Sequence, residues 1–253
     1  MGFQVAVQAH RGSPDPSLGI AENTLPAFAR SRQLGADGIE LDVRLTADGA
    51  LVVHHDASIP GIGNVADQDV RHLPDQVPLL AEVLGAMPDL TLNIEVKNLP
   101  TESSYDPDEA AARAVAHTLA DTERGASTVV SSFWLPSLDA VLAVDPSLST
   151  GLLVAEWADP SASLAMARDM GCRALHLHRS LVTAALVADV HAAGLAVAVW
   201  TVNRPDDVVA MVACGVDTII TDDVPLALAR IPDLDSSAPE PIGRGRITEE
   251  QAF

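Results

Sequence analysis

Lysine is almost missing from this 253-residue chain: of its 15 cationic residues 14 are arginine, and Lys97 stands alone. The single ammonium lies two residues after Glu95, where a compact point charge differs in use from a guanidinium fork. Positive charge is scarce overall, and the formal net charge is −20. That excludes a broad basic face for nucleic acid or an anionic membrane. It leaves an anionic substrate open, because a metal ion and a few local cations can invert the field inside one pocket. Cysteine is scarce too. Cys172 and Cys214 fit no zinc spacing and no disulfide framework, so reduced core thiols are expected. No apolar run is long enough to span a bilayer. Met1 to His10 lacks the basic start and apolar stretch of a signal peptide, so the expectation is cytoplasmic, with no stable membrane anchor. There is no G-x-S-x-G element for a serine hydrolase. Gly61-Ile62-Gly63-Asn64-Val65-Ala66 matches G-x-G-x-x-A, but no strand leads directly into it and no clear helix follows, so a dinucleotide site is rejected.

What is present is alternation. Strand-like segments are Val5–Ala9, Gly38–Val43, Ala50–His54, Leu92–Val96, Thr128–Ser131, Gly151–Val154, Ala174–His178, Ala196–Trp200 and Thr218–Ile220. Helical patterns lie between most of them: Leu25–Leu34, Asp108–Ala120, Leu135–Ala143, Ser161–Met170, Leu181–Ala193 and Asp206–Ala213. In the first, Leu25, Phe28 and Ala29 share a face; Asn23 or Thr24 can cap its start and Gly35 its end. Strand then helix, repeated, means parallel strands covered by helices. Ala50–His54 follows the second strand after only a Thr46-Ala47-Asp48-Gly49 turn. It reads as an excursion, which leaves eight strands for a (β/α)8 TIM barrel, with a doubly wound open sheet as the alternative. The expected organisation is one barrel domain over residues 1–234. A short insertion over 57–77 sits at its mouth after the second strand, and 235–253 form a disordered tail.

In a barrel, chemistry sits at the C-terminal ends of the strands. The first strand ends in His10-Arg11-Gly12. The second carries Glu40 and Asp42, two apart and therefore on one side. The third ends in Glu95-Val96-Lys97. Three carboxylates turned into a barrel interior need a cation. As hard oxygen ligands they suit Mg²⁺, Ca²⁺ or Mn²⁺. The competing reading is structural ion pairing with Arg and Lys. His54-His55-Asp56 ends the excursion, with one histidine expected at the mouth and available for proton transfer beside His10. Arg11 and Lys97 would supply positive charge where a phosphoryl group gains it; a salt bridge from Arg11 to Glu22 is compatible with that. Trp200 could wall a small substrate or pack the barrel top. Asp222 ends the eighth strand as a supporting or helix-capping group. His176 and His178 share one side of the sixth strand, with no chemistry that requires them.

Together these residues resemble the glycerophosphodiester phosphodiesterase family. The match runs in order through His10-Arg11-Gly12, Ala21 to Phe28, Gly35 to Val43, Thr46 to Gly49, His55-Asp56, Asn93 to Lys97, Trp200 to Asn203 and Gly215 to Asp222. It covers most of residues 5 to 230. The resemblance implies a (β/α)8 barrel that hydrolyses glycerophosphodiesters to glycerol 3-phosphate and an alcohol. It implies that Glu40, Asp42 and Glu95 bind one divalent ion, and that His10 and His55 are the general acid and base. It implies that Arg11 and Lys97 hold the phosphate and that Trp200 lines the glycerol side. Glu22 would orient Arg11, and Asn23, Asp56, Asn203 and Asp222 would support the groups beside them. The family often carries a longer insertion after His-Asp, opening with Arg-Thr-Thr; here Ala57-Ser58-Ile59-Pro60-Gly61 follows, which opens the question of the alcohol side. Ala21 also replaces a usual Pro. Two alternatives remain: a lysophospholipase D-type barrel acting on lysophospholipids, and a non-catalytic phosphate-binding barrel.

Overall fold

The structure is a computed structural model that describes residues 5–122 and 124–231. In chain order the elements are β1 (Ala6–Ala9), α1 (Leu25–Gln33), β2 (Gly38–Leu45), β3 (Leu51–Val53), β4 (Ser58–Ile59), β5 (Gly63–Asn64), α2 (Leu80–Ala86) and β6 (Thr91–Val96). There follow α3 (Ala110–Ala120), β7 (Thr128–Ser132), α4 (Leu135–Val144), β8 (Ser149–Val154), α5 (Pro160–Met170), β9 (Ala174–His178), α6 (Ala184–Ala192), β10 (Ala196–Trp200), α7 (Pro205–Cys214), β11 (Thr218–Thr221) and α8 (Val224–Leu228). The tail over 235–253 lies outside the described residues.

Eight strands pair in parallel in the order β1, β2, β6, β7, β8, β9, β10, β11, and β11 returns to β1 through Ala6 opposite Thr218. The sheet is therefore a closed barrel. The excursion is as expected: β3 runs antiparallel to the end of β2, with Val43 opposite Val53 and Leu45 opposite Leu51. The closed sheet excludes the open-sheet alternative.

Strand alternation sorts the side chains. Outward-turned residues such as Val7, Ile39, Leu41, Ile94, Leu175 and Ile219 are fully buried under the helices. A strand covered on both faces needs this near-continuous apolar content. The helices are seated by local signals. Thr24 caps α1, its hydroxyl accepting from Ala27 N, and Gly35 beyond the helix end has φ +85°. Gly12 is required for a different reason. A Cβ there would lie 2.9 Å from Ala27 Cβ, and its φ is +81°. Glycine thus lets α1 close against the end of β1 and lets the chain turn sharply after Arg11.

Two short helices, α2 and α8, were not anticipated. α2 spans seven residues and α8 five, too short to show a full amphipathic period. Residues 57–77 hold the β4–β5 hairpin, and Ile59 and Val65 there are buried together with Val52 of β3 in a second small core.

His176 on β9 faces the barrel interior over Gly151, where an added Cβ would lie 2.5 Å from its Nε2. Burial pushes its pKa from 6.5 down to about 4. The unfolded imidazole gains a proton near 6.5 and the folded one only near 4, so the unfolded chain binds more protons between those values. Stability is therefore lost as pH falls through that window, by up to about 3 kcal/mol from this group. Urea unfolding at pH 7 and pH 4.5 is expected to show a clearly smaller loss in His176→Gln than in the parent chain. An equal loss in both would remove His176 as the cause.

Candidate active site at the C-terminal end of the barrel

The turn that ends β1 is built from left-handed backbone at a non-glycine residue. Arg11 has φ +54°, a conformation that persists only where the surroundings hold it. It aims the Arg11 N–H at Glu40, donating to Oε2 at 2.9 Å. Asn23 is likewise left-handed, with φ +55°. Its N–H donates to Arg11 O at 2.9 Å, and its side-chain amide donates to Asp42 Oδ2 at 2.8 Å. The start of α1 is thereby tied both to the β1 turn and to a carboxylate of β2.

Glu40, Asp42 and Glu95 are all buried, and each offers a ligand oxygen such that the three lie within 4.8 Å of one another. Lys97 Nζ lies 2.5 Å from Glu95 Oε1 and 3.0 Å from Asp42 Oδ1. Arg11 Nε lies 3.4 Å from Asp42 Oδ2, and its Nη1 donates to Glu22 Oε1 at 3.0 Å. Two cations thus face three carboxylates, and Glu40 is the one left over. Burial, then the Asp42 charge, pushes Glu40 up to about 8. Burial also raises Glu95, with the Lys97 charge opposing it. For Asp42, burial acts upward but Lys97, His55 and Arg11 outweigh it and hold the carboxyl low. A cluster short of positive charge, made only of hard oxygens, fits a divalent cation.

Two histidines flank the carboxylates. His10 Nδ1 donates to Asp222 Oδ1 at 2.7 Å, and its Nε2 stands 4.0 Å from Glu40 Oε2. Asp222 is itself held, its N–H donating to Asn203 Oδ1 at 2.9 Å while Asn203 Nδ2 donates to Oδ2 at 2.5 Å. His55 Nδ1 donates to Asp56 Oδ1 at 2.7 Å. Their environments push them apart. Burial works against a charged His10, but the Asp222 hydrogen bond and the Glu40 charge overcome it and raise the pKa. Burial and then the Lys97 charge lower that of His55. As pH falls, His10 gains its proton before His55, the asymmetry an acid–base pair needs.

His10, Arg11, Glu40, His55, Glu95 and Lys97 line a cavity of about 230 Å³ that also meets Trp200, Phe133 and Leu153. Trp200 Nε1 donates to His176 O at 2.9 Å, and its ring meets Phe133 edge-on with centroids 5.5 Å apart. Every residue expected at the site from sequence therefore gathers at one end of the barrel. His55 lines the cavity and His54 does not. His176 lies deeper in the barrel, and His178 packs against the Trp200 ring.

Sequence reading missed Arg44, Asn93, Ser131 and Phe133. For Arg44 the signal was available: it stands two residues past Asp42, on the same side of β2. Its Nε and Nη2 donate to His55 O at 2.9 and 2.7 Å, and Nη1 and Nη2 donate to Glu102 at 2.8 and 2.9 Å. The guanidinium thus pins the His55 backbone and the chain after β6 together. Arg44→Met would leave Glu102 without its partner. The expected cost is about 2–3 kcal/mol, below the range for a fully buried pair because Glu102 is 23% exposed. A melt that shifts by less than a degree or two would show that the clamp contributes little.

The comparisons agree with this geometry. A model of the Glycerophosphoryl diester phosphodiesterase family matches residues 10–226. A glycerophosphodiester phosphodiesterase of Caldanaerobacter subterraneus subsp. tengcongensis is 34% identical over 246 residues, covering 87% of this chain and 95% of its own. A protein of Mycobacterium tuberculosis named probable glycerophosphodiester phosphodiesterase 2 is 32% identical, covering 87% and 88%. The solved structure of an Oleispira antarctica phosphodiesterase in complex with the product sn-glycerol-3-phosphate superposes with TM-score 0.78 at 26% identity, covering 90% of this chain and 97% of that one. The closed parallel barrel, its carboxylate and histidine cluster and these matches together place the chain in the glycerophosphoryl diester phosphodiesterase family, as a phosphoric diester hydrolase.

Proposed function

We propose that the chain hydrolyses glycerophosphodiesters to sn-glycerol 3-phosphate and an alcohol, using one divalent ion held by Glu40, Asp42 and Glu95. The observation that carries the ion is the trio of buried carboxylates within 4.8 Å, with Glu40 short of a counter-charge. Mg²⁺, Ca²⁺ and Mn²⁺ all suit such oxygens. A bound ion of this kind supplies Lewis-acid stabilisation of phosphoryl oxygens.

The chain's own residues do the rest. Arg11 and Lys97 place positive charge beside the phosphodiester. His10 and His55 move protons, one accepting from the attacking hydroxyl and the other donating to the leaving alkoxide. Asp222 and Asp56 hold the two imidazoles by Nδ1, which leaves each Nε2 for the chemistry. Glu22 and Asn23 hold Arg11 and Asp42, and Asn203 holds Asp222. Trp200 and Phe133 give the glycerol an apolar wall. The attacker is water or the substrate's neighbouring glycerol hydroxyl, and a cyclic phosphate caught in a timed reaction would identify the second. The net charge of −20 favours a small dissolved substrate over one drawn from an anionic surface. No helix among the described residues is long and apolar enough to cross a membrane.

The test is release of glycerol 3-phosphate from glycerophosphocholine and glycerophosphoethanolamine in a coupled dehydrogenase assay. A chelator is expected to abolish turnover, and one of the three ions to restore it. Turnover confined to lysophospholipids would move the reading to a lysophospholipase D. Binding without turnover under every ion would favour a non-catalytic barrel.

A further inference from the structure

Two buried polar residues on the cavity, Asn93 and Ser131, are not used by the proposed chemistry. Asn93 on β6 is the register partner of Glu40, and Ser131 on β7 is the register partner of Glu95. Both line the cavity, at 1% and 0% exposure. Neither the Oδ1 nor the Nδ2 of Asn93, nor the Oγ of Ser131, has a hydrogen-bond partner in the protein. Two other buried amides are used fully. Asn23 spends both ends on Asp42, and Asn98 both ends on the Asp106 backbone. Buried polar groups left unmet cost stability, so such a pair points to something that meets it from the cavity.

The donor and acceptor types narrow the choice. The amide offers two donors and an acceptor, and the hydroxyl offers one donor and can accept. An anion would use the donors only and would sit beside Glu40 and Glu95. A cation would leave the Asn93 Nδ2 unmet. An alcohol hydroxyl both donates and accepts, and it matches all three atoms. The same cavity is lined by Phe133, Leu153, Trp200 and Ile220, apolar side chains suited to the C–H face of a small polyol. We propose that Asn93 and Ser131 recognise the free hydroxyls of the substrate's glycerol moiety and so determine specificity for it. This rests on the glycerophosphodiester reading above.

The test is equilibrium binding by titration calorimetry, on the full chain in Mg²⁺ buffer. The ligands are glycerol 3-phosphate and propyl phosphate, the same phosphate ester without its hydroxyls. The wild type is expected to prefer glycerol 3-phosphate by about 100-fold or more, since a site built to bond a hydroxyl strongly rejects the analogue without it. Asn93→Leu is expected to bring that preference below about 10-fold, and Ser131→Ala to bring it part of the way. Asn93→Leu is also expected to melt no lower than wild type, because no bond within the protein is lost. An unchanged preference, parallel weakening of both ligands, or a melt well below wild type would each overturn the assignment. The two failures are separable. If the wild type neither binds nor releases glycerol 3-phosphate, the glycerophosphodiester reading falls. If it does both and Asn93→Leu keeps the preference, only the hydroxyl assignment falls.

Discussion

Alanine in place of His10 or of His55 is expected to lower kcat by about 10²–10⁴-fold, the usual effect of losing one proton-transfer group. The fold should survive. His10 is hydrogen-bonded to Asp222 and His55 to Asp56, and each imidazole lies on the cavity rather than in the packed layer under the helices. Circular dichroism and melting curves should therefore stay close to wild type while turnover falls. The supporting carboxylates give a sharper check. Asp222 acts only through His10, orienting it and raising its pKa, so Asp222→Asn should cost less than His10→Ala. Added to His10→Ala, it should cost almost nothing more, because groups that act as a unit are not additive. The histidines also titrate in opposite directions from their ordinary value. Each single variant should thus remove one limb of the pH–rate profile and leave the other. Near-normal rates in both alanine variants would sink the acid–base assignment.

The barrel was legible because its strands carry two messages at once. Ile39, Leu41 and Val43 announce a strand covered by helices, while Glu40 and Asp42 between them announce that its other face is not ordinary core. The same alternation exposes Ile94 with Glu95 on β6. The site followed from placing those carboxylates at strand ends on one side of a closed sheet. What stayed hidden depends on partners distant in sequence. The place of Arg44 on the Asp42 side of β2 is readable, but nothing near it shows that its guanidinium holds the His55 carbonyl, 11 residues away, and Glu102, 58 residues away. Asn93 and Ser131 look like ordinary small polar residues in strands. Their meaning appears only when three dimensions show that no protein group meets them. Thr24 rather than Asn23 caps α1, because Asn23 is drawn away to Asp42, a partner that local capping rules do not see.

The carboxylate trio admits two physical readings, and Glu40→Gln separates them. If the trio were a structural ion-pair cluster, removing one charge would unbalance it and lower the melting temperature. The geometry argues otherwise. Lys97 is engaged by Glu95 and Asp42, and Arg11 by Asp42 and Glu22, so Glu40 has no cation of its own except the more distant His10. Burial and the Asp42 charge already push it up to about 8, so a negative charge there is disfavoured relative to an exposed carboxylate. Glutamine keeps the shape and can still accept the Arg11 N–H that Glu40 accepts at 2.9 Å. The metal-free variant is therefore expected to melt at or above the wild-type temperature. Turnover is expected to fall by about 10³-fold or more, because an ion worth several kcal/mol to the transition state loses a ligand. The rise in melting temperature that a divalent ion gives the wild type should shrink with it, since an ion stabilises only in proportion to its affinity for the folded state. Melting curves with chelator and with added ion, run beside the rate assay, read all three quantities. A metal-free Glu40→Gln protein that melts far below wild type would favour the ion-pair reading over the metal site.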